Sequence, residues 1–364
     1  MINIKGLGWE ERVFASLSSL YKSRGYQKYK MGSFEEYSMY LDNKDFLTSQ
    51  NVITFGGLDG KLLALRPDVT LSIIKNVKTE ETSKVFYNEK VYREVLGEYK
   101  EVSQTGVEVI GDIDLVTEAE ITELILHTLD AVGKNYLLDV SHMGFVEGLI
   151  DSFNLSQEEK EVLYMLLKTK NTHDLKRFVP KLGESDVEKF SKLLSIGGEP
   201  TNALKQAREI AVNEKMLTAV NELSSLVEVM QNLGKAGKIK INFSIANNAD
   251  YYNGIIYNGY VEGIPHAVLS GGRYDKLLKK FNKNAGALGF ALYLGELERY
   301  FPEENEQLDA IILYTDDAVS CLKIANEFAS SGKSVKLCKT VPNGVKFKKV
   351  YKIANGKAEE VQDA

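Results

Sequence analysis

A long helical stretch divides this chain and limits the folds open to it. From about residue 150 to residue 234 the apolar residues recur at helical spacing, with almost no alternating pattern. Alternating, β-like runs lie on both sides, such as KVFYNEKVYRE (84–94) before it and KIKINFSIA (238–246) after it. This segregation of strands and helices is typical of an α+β fold. We therefore expect a β-rich core whose two halves are joined through a helical insertion.

Local signals near the start of the chain indicate a helix followed by a hairpin. Residues 10–24 place apolar side chains on one face of a helix, and Gly25 is suited to end it. Two β-like runs then flank Asp59-Gly60, a pair typical of tight hairpin turns. The sequence therefore predicts an amphipathic helix and, after it, two antiparallel strands.

Two longer strands and a second helix should follow. The alternating runs 84–94 and 101–111 are separated by a short loop at 96–98, which predicts a second antiparallel pair. Thr117 and Glu120 have the spacing of a capping box. We therefore expect a helix to begin there and to continue to about residue 131.

The end of the chain has a pattern of its own. From about residue 306 it reads as strand, helix and strand, in the runs DAIILYT, DAVSCLKIANEFASSG and SVKLCK, with VKFKKVYKI as a further candidate strand. We predict a core over residues 1–305, containing the insertion, and a small α/β unit over 306–364.

Composition narrows the class of protein. The chain has 364 residues, 44% of them hydrophobic and 26% charged, with a formal net charge of −6. A negative chain lacks the strong basic surface that binding to nucleic acid usually needs. Two cysteines, no apolar run of 18 residues and an N-terminus without an apolar signal core predict a cytoplasmic protein with no membrane contact.

Six short strings occur in a fixed order along the two β-rich halves: LRPDVT (65–70), KVFYNEKVYRE (84–94), EVSQTGVEVIG (101–111), DYYNG (250–254), SGGRYDKLL (270–278) and ALGFAL (287–292). In this order and spacing they resemble the catalytic core of histidyl-tRNA synthetase, a class II aminoacyl-tRNA synthetase. The resemblance covers roughly residues 8–300 and implies a mostly antiparallel sheet flanked by helices, in a homodimer.

The strand pair also carries polar side chains in an unusual pattern. Gln104 and Glu108 are four residues apart, so in a strand they point to the same face. Buried Gln and Glu are costly unless a partner satisfies them, and an amino acid with an ammonium and an imidazole is such a partner. A solvated strand face is the alternative, but the surrounding valines and tyrosine oppose it.

The resemblance implies a histidine-binding role for seven residues. The acid and threonine of LRPDVT, with the glutamine of the second strand, would hold the α-ammonium group. An arginine would bind the carboxylate in two-pronged geometry, while a glutamate and one tyrosine of DYYNG would meet the imidazole. The residues are Asp68, Thr70, Arg93, Gln104, Glu108, Tyr251 and Tyr252.

Three departures from the synthetase pattern concern the chemistry on ATP. Asn247 stands where the family has an arginine that stabilises charge at the reacting carboxylate. Tyr293 replaces a glycine that leaves room for nucleotide, and Glu296 replaces an arginine that grips phosphate, unless a gapped alignment lets Arg299 take that role. The loop after Arg93 is short and acidic, and it lacks a second phosphate-binding arginine.

A retained histidine pocket beside lost adenylation residues resembles the regulatory subunits of ATP phosphoribosyltransferase, which are synthetase paralogues in histidine biosynthesis. The resemblance implies a hetero-oligomer in which this chain activates a short-form catalytic subunit and senses free histidine for feedback inhibition. By itself the chain would carry out no catalysis and would need no cofactor.

Two alternatives remain open from the sequence. The chain could be a divergent, active histidyl-tRNA synthetase, or a tRNA-sensing module of synthetase type that uses the seven lysines between residues 333 and 352. No GxxxxGK[ST] or HExxH string occurs, and the four histidines are scattered, so neither a P-loop nor a metal centre is predicted.

Overall fold

The computed structural model describes residues 8–43, 52–78, 81–95, 97–133, 135–171, 175–245, 251–297, 300, 307–314, 317–354 and 356–361. The chain forms two compact units. The larger is Val13–Tyr300, and the smaller combines Met1–Arg12 with Phe301–Ala364.

A nine-stranded sheet dominates the larger unit. Its strands are β1 (Gln27–Lys28), β5 (Ser83–Val95), β6 (Glu98–Gly111), β7 (Tyr136–His142), β8 (Gly197–Gly198), β9 (Ile239–Asn242), β10 (Ile255–Val261), β11 (Leu269–Arg273) and β12 (Gly286–Tyr293). They lie in the order β1-β5-β6-β12-β11-β10-β7-β9-β8. Along this order, each strand from β5 through β6, β12, β11 and β10 to β7 pairs antiparallel with the next, and so do β9 and β8. Among the described strands of this sheet, only the pairs β1–β5 and β7–β9 are parallel. The predicted mostly antiparallel sheet is thus confirmed.

A smaller, three-stranded sheet leads into the LRPDVT segment. Its strands are β2 (Phe34–Glu36), β3 (Thr54–Gly56) and β4 (Leu62–Leu65), in the order β2-β4-β3. The turn between β3 and β4 contains Gly60 at φ +80°, a conformation that glycine adopts without steric cost. The antiparallel hairpin around Asp59-Gly60 is therefore confirmed. The chain then enters helix α3 (Thr70–Asn76).

Helices cover one face of the large sheet. The first helix, α1 (Trp9–Ser23), and α4 (Leu115–Val132) are joined by a hydrogen bond of 2.8 Å between the hydroxyls of Tyr21 and Thr128. The hydroxyl of Thr122 on α4 lies 2.9 Å from that of Tyr257 on β10. Because side chains alternate along a strand, Asn258 then points to the opposite face of the sheet.

The helical pattern between about residues 150 and 234 corresponds to a group of helices that enters after β7 and leaves before β9. These are α5 (Met143–Asp151), α6 (Gln157–Thr169), α7 (Leu175–Phe178), α8 (Glu184–Ser195), α9 (Pro200–Ile210) and α10 (Glu214–Asn232). Among the described residues of this group, the only strand is the two-residue β8. Three short helices lie elsewhere in the unit: α2 (Tyr37–Leu41), α11 (Asp275–Lys280) and α12 (Leu294–Leu297).

The smaller unit contains an α/β arrangement. Its elements are β13 (Leu308–Leu313), α13 (Ala318–Ser330), β14 (Val335–Cys338), β15 (Phe347–Ala354) and β16 (Lys357–Glu360). The strand order is β14-β13-β15-β16, with β13 parallel to both of its neighbours. Phe328 of α13 packs on Tyr351 of β15 with ring centroids 4.9 Å apart. None of the described helices in either unit combines the length and apolar character needed to cross a membrane.

The predicted capping box at Thr117 and Glu120 is wrong. The N-cap of α4 is Asp114, three residues before Thr117, and the helix begins at Leu115. The Asp114 carboxylate accepts hydrogen bonds of 2.8 Å from the Thr117 N–H and 2.9 Å from the Thr117 hydroxyl. Glu120 instead lies beside Tyr26 and forms an ion pair of 2.5 Å with Lys84.

This cap gives a test of the helix start. Asp114→Ala should lower the free energy of unfolding by about 1 kcal/mol, because it leaves a helix N–H without its acceptor. Asp112→Ala is the matched control, since this exposed acid lies just before the cap and should cost less than about 0.5 kcal/mol. Urea unfolding followed by circular dichroism measures both changes, and equal losses would contradict the assigned cap.

Candidate functional site

A trough crosses the face of the large sheet opposite α4. The register places Gly106 of β6, Ala291 of β12 and Ser270 of β11 side by side. The next row along contains Glu108 and Gly289. Because most of these side chains are small or absent, they leave a cavity of about 210 Å³ above the strands. This is a volume suited to a small polar molecule.

All seven side chains predicted to bind histidine line this one cavity. They come from four separate parts of the chain: the entrance to α3, strand β5, strand β6 and the segment before β10. The residues are Asp68, Thr70, Arg93, Gln104, Glu108, Tyr251 and Tyr252.

Glu108 lies at the most enclosed end of the cavity, with 2% of its surface exposed. The Thr70 hydroxyl donates to its Oε1 at 3.0 Å, and the Tyr274 hydroxyl donates to its Oε2 at 2.6 Å. A Cβ added at Gly289 would lie 1.7 Å from this Oε2, so only glycine leaves room for the carboxyl group. Burial raises the pKa of Glu108 to about 8, which favours the neutral acid at pH 7.

Asp68 is held at the start of α3. Its Oδ1 accepts a hydrogen bond of 2.8 Å from the Leu71 N–H. Burial raises the pKa of this carboxyl, while that N–H and the positive charge of Arg93 oppose the rise. Nearby Arg66 ties the segment to β5 through an ion pair of 2.9 Å with Glu89. The carboxylate is therefore fixed in position at one side of the cavity.

Arg93 and Gln104 present polar groups to the cavity without full partners. The Arg93 Nε donates to the Pro67 carbonyl at 3.1 Å, which orients the guanidinium. Among the described residues Arg93 forms no ion pair, so its terminal nitrogens can still bind an anion. Gln104 is 3% exposed, and its amide makes no hydrogen bond within the described part of the chain. Polar groups buried in this way need a ligand or water.

Two tyrosines form another wall. The rings of Tyr251 and Tyr252 meet edge to face at 4.7 Å, and Tyr251 also contacts the ring of Tyr274 at 5.6 Å. Burial raises the pKa of both phenols of the pair well above the usual value, so their hydroxyls stay protonated and can donate. A Cβ at Gly272 would lie 2.7 Å from the Tyr252 ring, so this glycine permits the close packing.

The positions that depart from the synthetase pattern are described only in part. Tyr293 ends β12 directly opposite Gln104, and its hydroxyl lies 2.5 Å from that of Ser270. Asn247, Arg299 and the side chain of Glu296 lie outside the described residues.

Sequence reasoning missed several residues that line the cavity. The most important is Tyr274, which holds Glu108 and belongs to the string SGGRYDKLL. Asn258, Ser270 and Ile245 also contribute to the lining. A tyrosine directly after Gly-Gly-Arg was the available signal for Tyr274, whereas Asn258 becomes part of the site only through its pairing with Ser270.

A second, open cavity of about 670 Å³ lies near α11, and two of its cations already have acidic partners. Arg273 pairs with Asp275 at 2.9 Å, and Lys276 pairs with Glu147 at 2.9 Å. No group of three His, Cys, Asp or Glu residues in the described part of the chain could hold a metal ion. The trough is therefore the better candidate for a binding site.

Known proteins resemble most of this chain. Residues 8–297 match the family model of histidyl-tRNA synthetase. An ATP phosphoribosyltransferase regulatory subunit of Bacillus cereus (strain AH820) is 26% identical over 344 residues, covering 90% of this chain and 82% of the relative.

Two solved structures have the same fold. The ATP phosphoribosyltransferase regulatory subunit/histidyl-tRNA synthetase from Bacillus halodurans has a TM-score of 0.80 at 24% identity, with 93% of each chain covered. The ATP phosphoribosyltransferase (HisG:HisZ) complex from Thermotoga maritima has a TM-score of 0.62 at 17% identity, with 78% of this chain and 97% of that one covered.

The raised pKa of Glu108 makes a prediction about pH. Between about pH 5 and pH 8 the folded chain holds a proton at Glu108 that the unfolded chain releases, so stability from this group falls as pH rises. The free energy of unfolding of the wild type, relative to Glu108→Gln, should decrease across this window by up to about 1.4 kcal/mol per pH unit.

Thermal or urea unfolding at several pH values measures this difference. The matched control is Ser225→Ala on the exposed side of α10, which removes no titrating group, so its difference from wild type should stay constant with pH. A constant difference for Glu108→Gln as well would contradict a neutral, buried acid.

Proposed function

The chain belongs to the histidyl-tRNA synthetase family, and on that premise we propose that it is a regulatory subunit of ATP phosphoribosyltransferase that senses histidine. The observation that carries the proposal is the trough, where seven residues suited to histidine surround one cavity while Tyr293 stands among them. The relative from Bacillus cereus bears the regulatory-subunit role in its name and matches 90% of this chain.

The cavity complements free histidine group by group. The ligand ammonium is assigned to Asp68, with Gln104 as a further acceptor, and the ligand carboxylate is assigned to Arg93. These two charged side chains suit the two opposite charges of an amino acid. The imidazole is assigned to Glu108 and the Tyr252 hydroxyl, at the enclosed end. Each assignment gives a partner to a polar group that the cavity buries.

The sequence opposes adenylation by the same cavity. Asn247 supplies no positive charge where the synthetases use an arginine, and Glu296 would repel phosphate. Electrostatic stabilisation of this kind can account for several kcal/mol of a barrier. The chain is therefore assigned no catalytic step, and the condensation of ATP with phosphoribosyl pyrophosphate is left to the partner.

The partner is proposed to be a short-form catalytic subunit of ATP phosphoribosyltransferase, in a cytoplasmic complex. The Thermotoga maritima structure, which has the same fold, is by name an ATP phosphoribosyltransferase (HisG:HisZ) complex. Histidine bound in the trough would lower the partner's productive binding of substrates, and those substrates would weaken histidine binding by the same factor. Self-association as a dimer is proposed from the family, since symmetric oligomers of both chains give a lasting complex.

The first test is reconstitution. A purified short-form catalytic subunit should gain ATP phosphoribosyltransferase activity when this chain is added in increasing amounts, with saturation at a fixed ratio. The assay follows product formation from ATP and phosphoribosyl pyrophosphate. An unrelated protein of equal size and charge is the control. Activity that does not respond to this chain, in mixtures where size exclusion also detects no complex, would reject the proposed role.

The second test addresses histidine. Calorimetry should detect binding of L-histidine and much weaker binding of L-leucine, because a site built for hydrogen bonds rejects ligands that lack them, by up to about 10⁴-fold. In the complex, the double change Arg93→Ala and Glu108→Ala should raise the histidine concentration needed for half-inhibition by roughly 100-fold or more.

Each inhibition curve is normalised to the activity of the same complex without histidine. The control is Glu228→Gln, an exposed change on α10, and histidine should inhibit the complex of this variant as it inhibits the wild-type complex. Unchanged inhibition in the double variant would mean that histidine acts on the catalytic subunit.

A further inference from the structure

Tyr293 occupies one end of the trough. It is the last residue of β12 and pairs directly with Gln104 of β6, one row beyond the small residues of the floor. Its hydroxyl reaches Ser270 on the far side of Ala291, at 2.5 Å. The ring thus passes over the trough from one strand toward the next.

The ring also lies close to other groups of the cavity. After burial, the largest contribution that raises the pKa of Tyr252 comes from Tyr293, and Tyr293 contributes in the same direction at Tyr87. All three tyrosines line the cavity. Tyr293 is therefore part of the cavity wall and is held there by Ser270.

The position of Tyr293 relative to the ligand follows from the register. Glu108 and Gln104 are four residues apart on β6, which separates them by about 13 Å along the strand. With the imidazole at Glu108, the amino-acid end of histidine points toward Gln104 and Arg93. Tyr293 lies directly opposite Gln104 and lines the cavity, so it closes the trough at the end where the amino-acid group of the ligand would lie. A ligand that is longer at this end would meet the ring.

We propose that Tyr293, held by Ser270, is a specificity-determining residue that limits ligand length, so that the trough accepts free histidine and rejects histidine extended through its carboxyl group. The excluded class comprises dipeptides with N-terminal histidine and larger esters, amides or anhydrides of histidine. This inference rests on the proposed histidine site. It gives a sensor the means to measure the free amino acid in the presence of its activated or peptide-bound forms.

The test compares three ligands on the full chain by calorimetry. L-histidine is the free amino acid. L-histidyl-glycine keeps a carboxylate but is longer, and L-histidinamide loses the carboxylate charge without gaining length. The amide therefore separates the loss of charge at Arg93 from the effect of length.

Two variants are used. Tyr293→Ala removes the ring, whereas Tyr293→Phe keeps the ring and removes the hydrogen bond to Ser270. In the wild type, L-histidyl-glycine should bind roughly 10- to 200-fold more weakly than L-histidine, as expected for a steric mismatch of this size. Tyr293→Ala should bring the affinities for L-histidine and L-histidyl-glycine close together. It should leave the ratio of the affinities for L-histidine and L-histidinamide unchanged. Tyr293→Phe should retain discrimination closer to the wild type.

Circular dichroism establishes that each variant is folded. If Tyr293→Ala does not fold, Ser270→Ala frees the Tyr293 ring without removing it, and it should relax the discrimination in part. Equal binding of L-histidine and L-histidyl-glycine by the wild type would overturn the inference while histidine binding, and so the proposed function, stands. An unchanged ratio in every folded variant would overturn it in the same way. Absence of L-histidine binding by the wild type would reject the proposed site and the length limit together.

Discussion

The site depends on one steric constraint, the lack of side chains on the floor of the trough. A Cβ at Gly106 would lie 2.1 Å from the Phe290 carbonyl oxygen, and a Cβ at Gly289 would lie 1.7 Å from the Glu108 carboxyl. Real Cβ contacts are never this short, so any larger residue would force the strands or the acid to move. Gly289 leaves room for the Glu108 carboxyl group, and Gly106 lets β12 and the Tyr87 ring approach β6 closely.

The enclosed end and the open end of the cavity use different physical chemistry. At the enclosed end Glu108 is surrounded by hydroxyl groups and kept neutral by burial, so recognition there relies on hydrogen bonds. Toward Arg93 and Asp68 a guanidinium and a carboxyl group line the cavity, and the positive charge of Arg93 acts to lower the pKa of Asp68. A zwitterion with a polar ring can pair with the groups at both ends, whereas an apolar amino acid would leave buried polar groups unpaired.

Much of the fold could be predicted from the sequence, because alternation, turn residues and helical spacing are local properties. The long β5–β6 pair and the Asp59-Gly60 hairpin are examples. The start of α4 could not be decided in this way, since Asp114 and Thr117 are both good N-caps and only the structure selects between them. Tyr274 escaped notice for a different reason. Its hydroxyl group donates a hydrogen bond to Glu108, which is 166 positions away in the sequence, and no local sequence pattern predicts such a contact.

The strand order has a consequence for how the chain folds as it is made. Strand β6 is complete before the helical insertion begins, yet its partner β12 follows the insertion and most of the larger unit. Pairing between segments so distant in sequence is slow, because a long loop must close, at a cost in entropy, before the two strands can form stabilising contacts. A nascent chain must therefore carry β6 with one unpaired edge while α4 to α10 are synthesised. The floor of the trough is assembled late, when Gly289 and Ala291 reach their places beside β6.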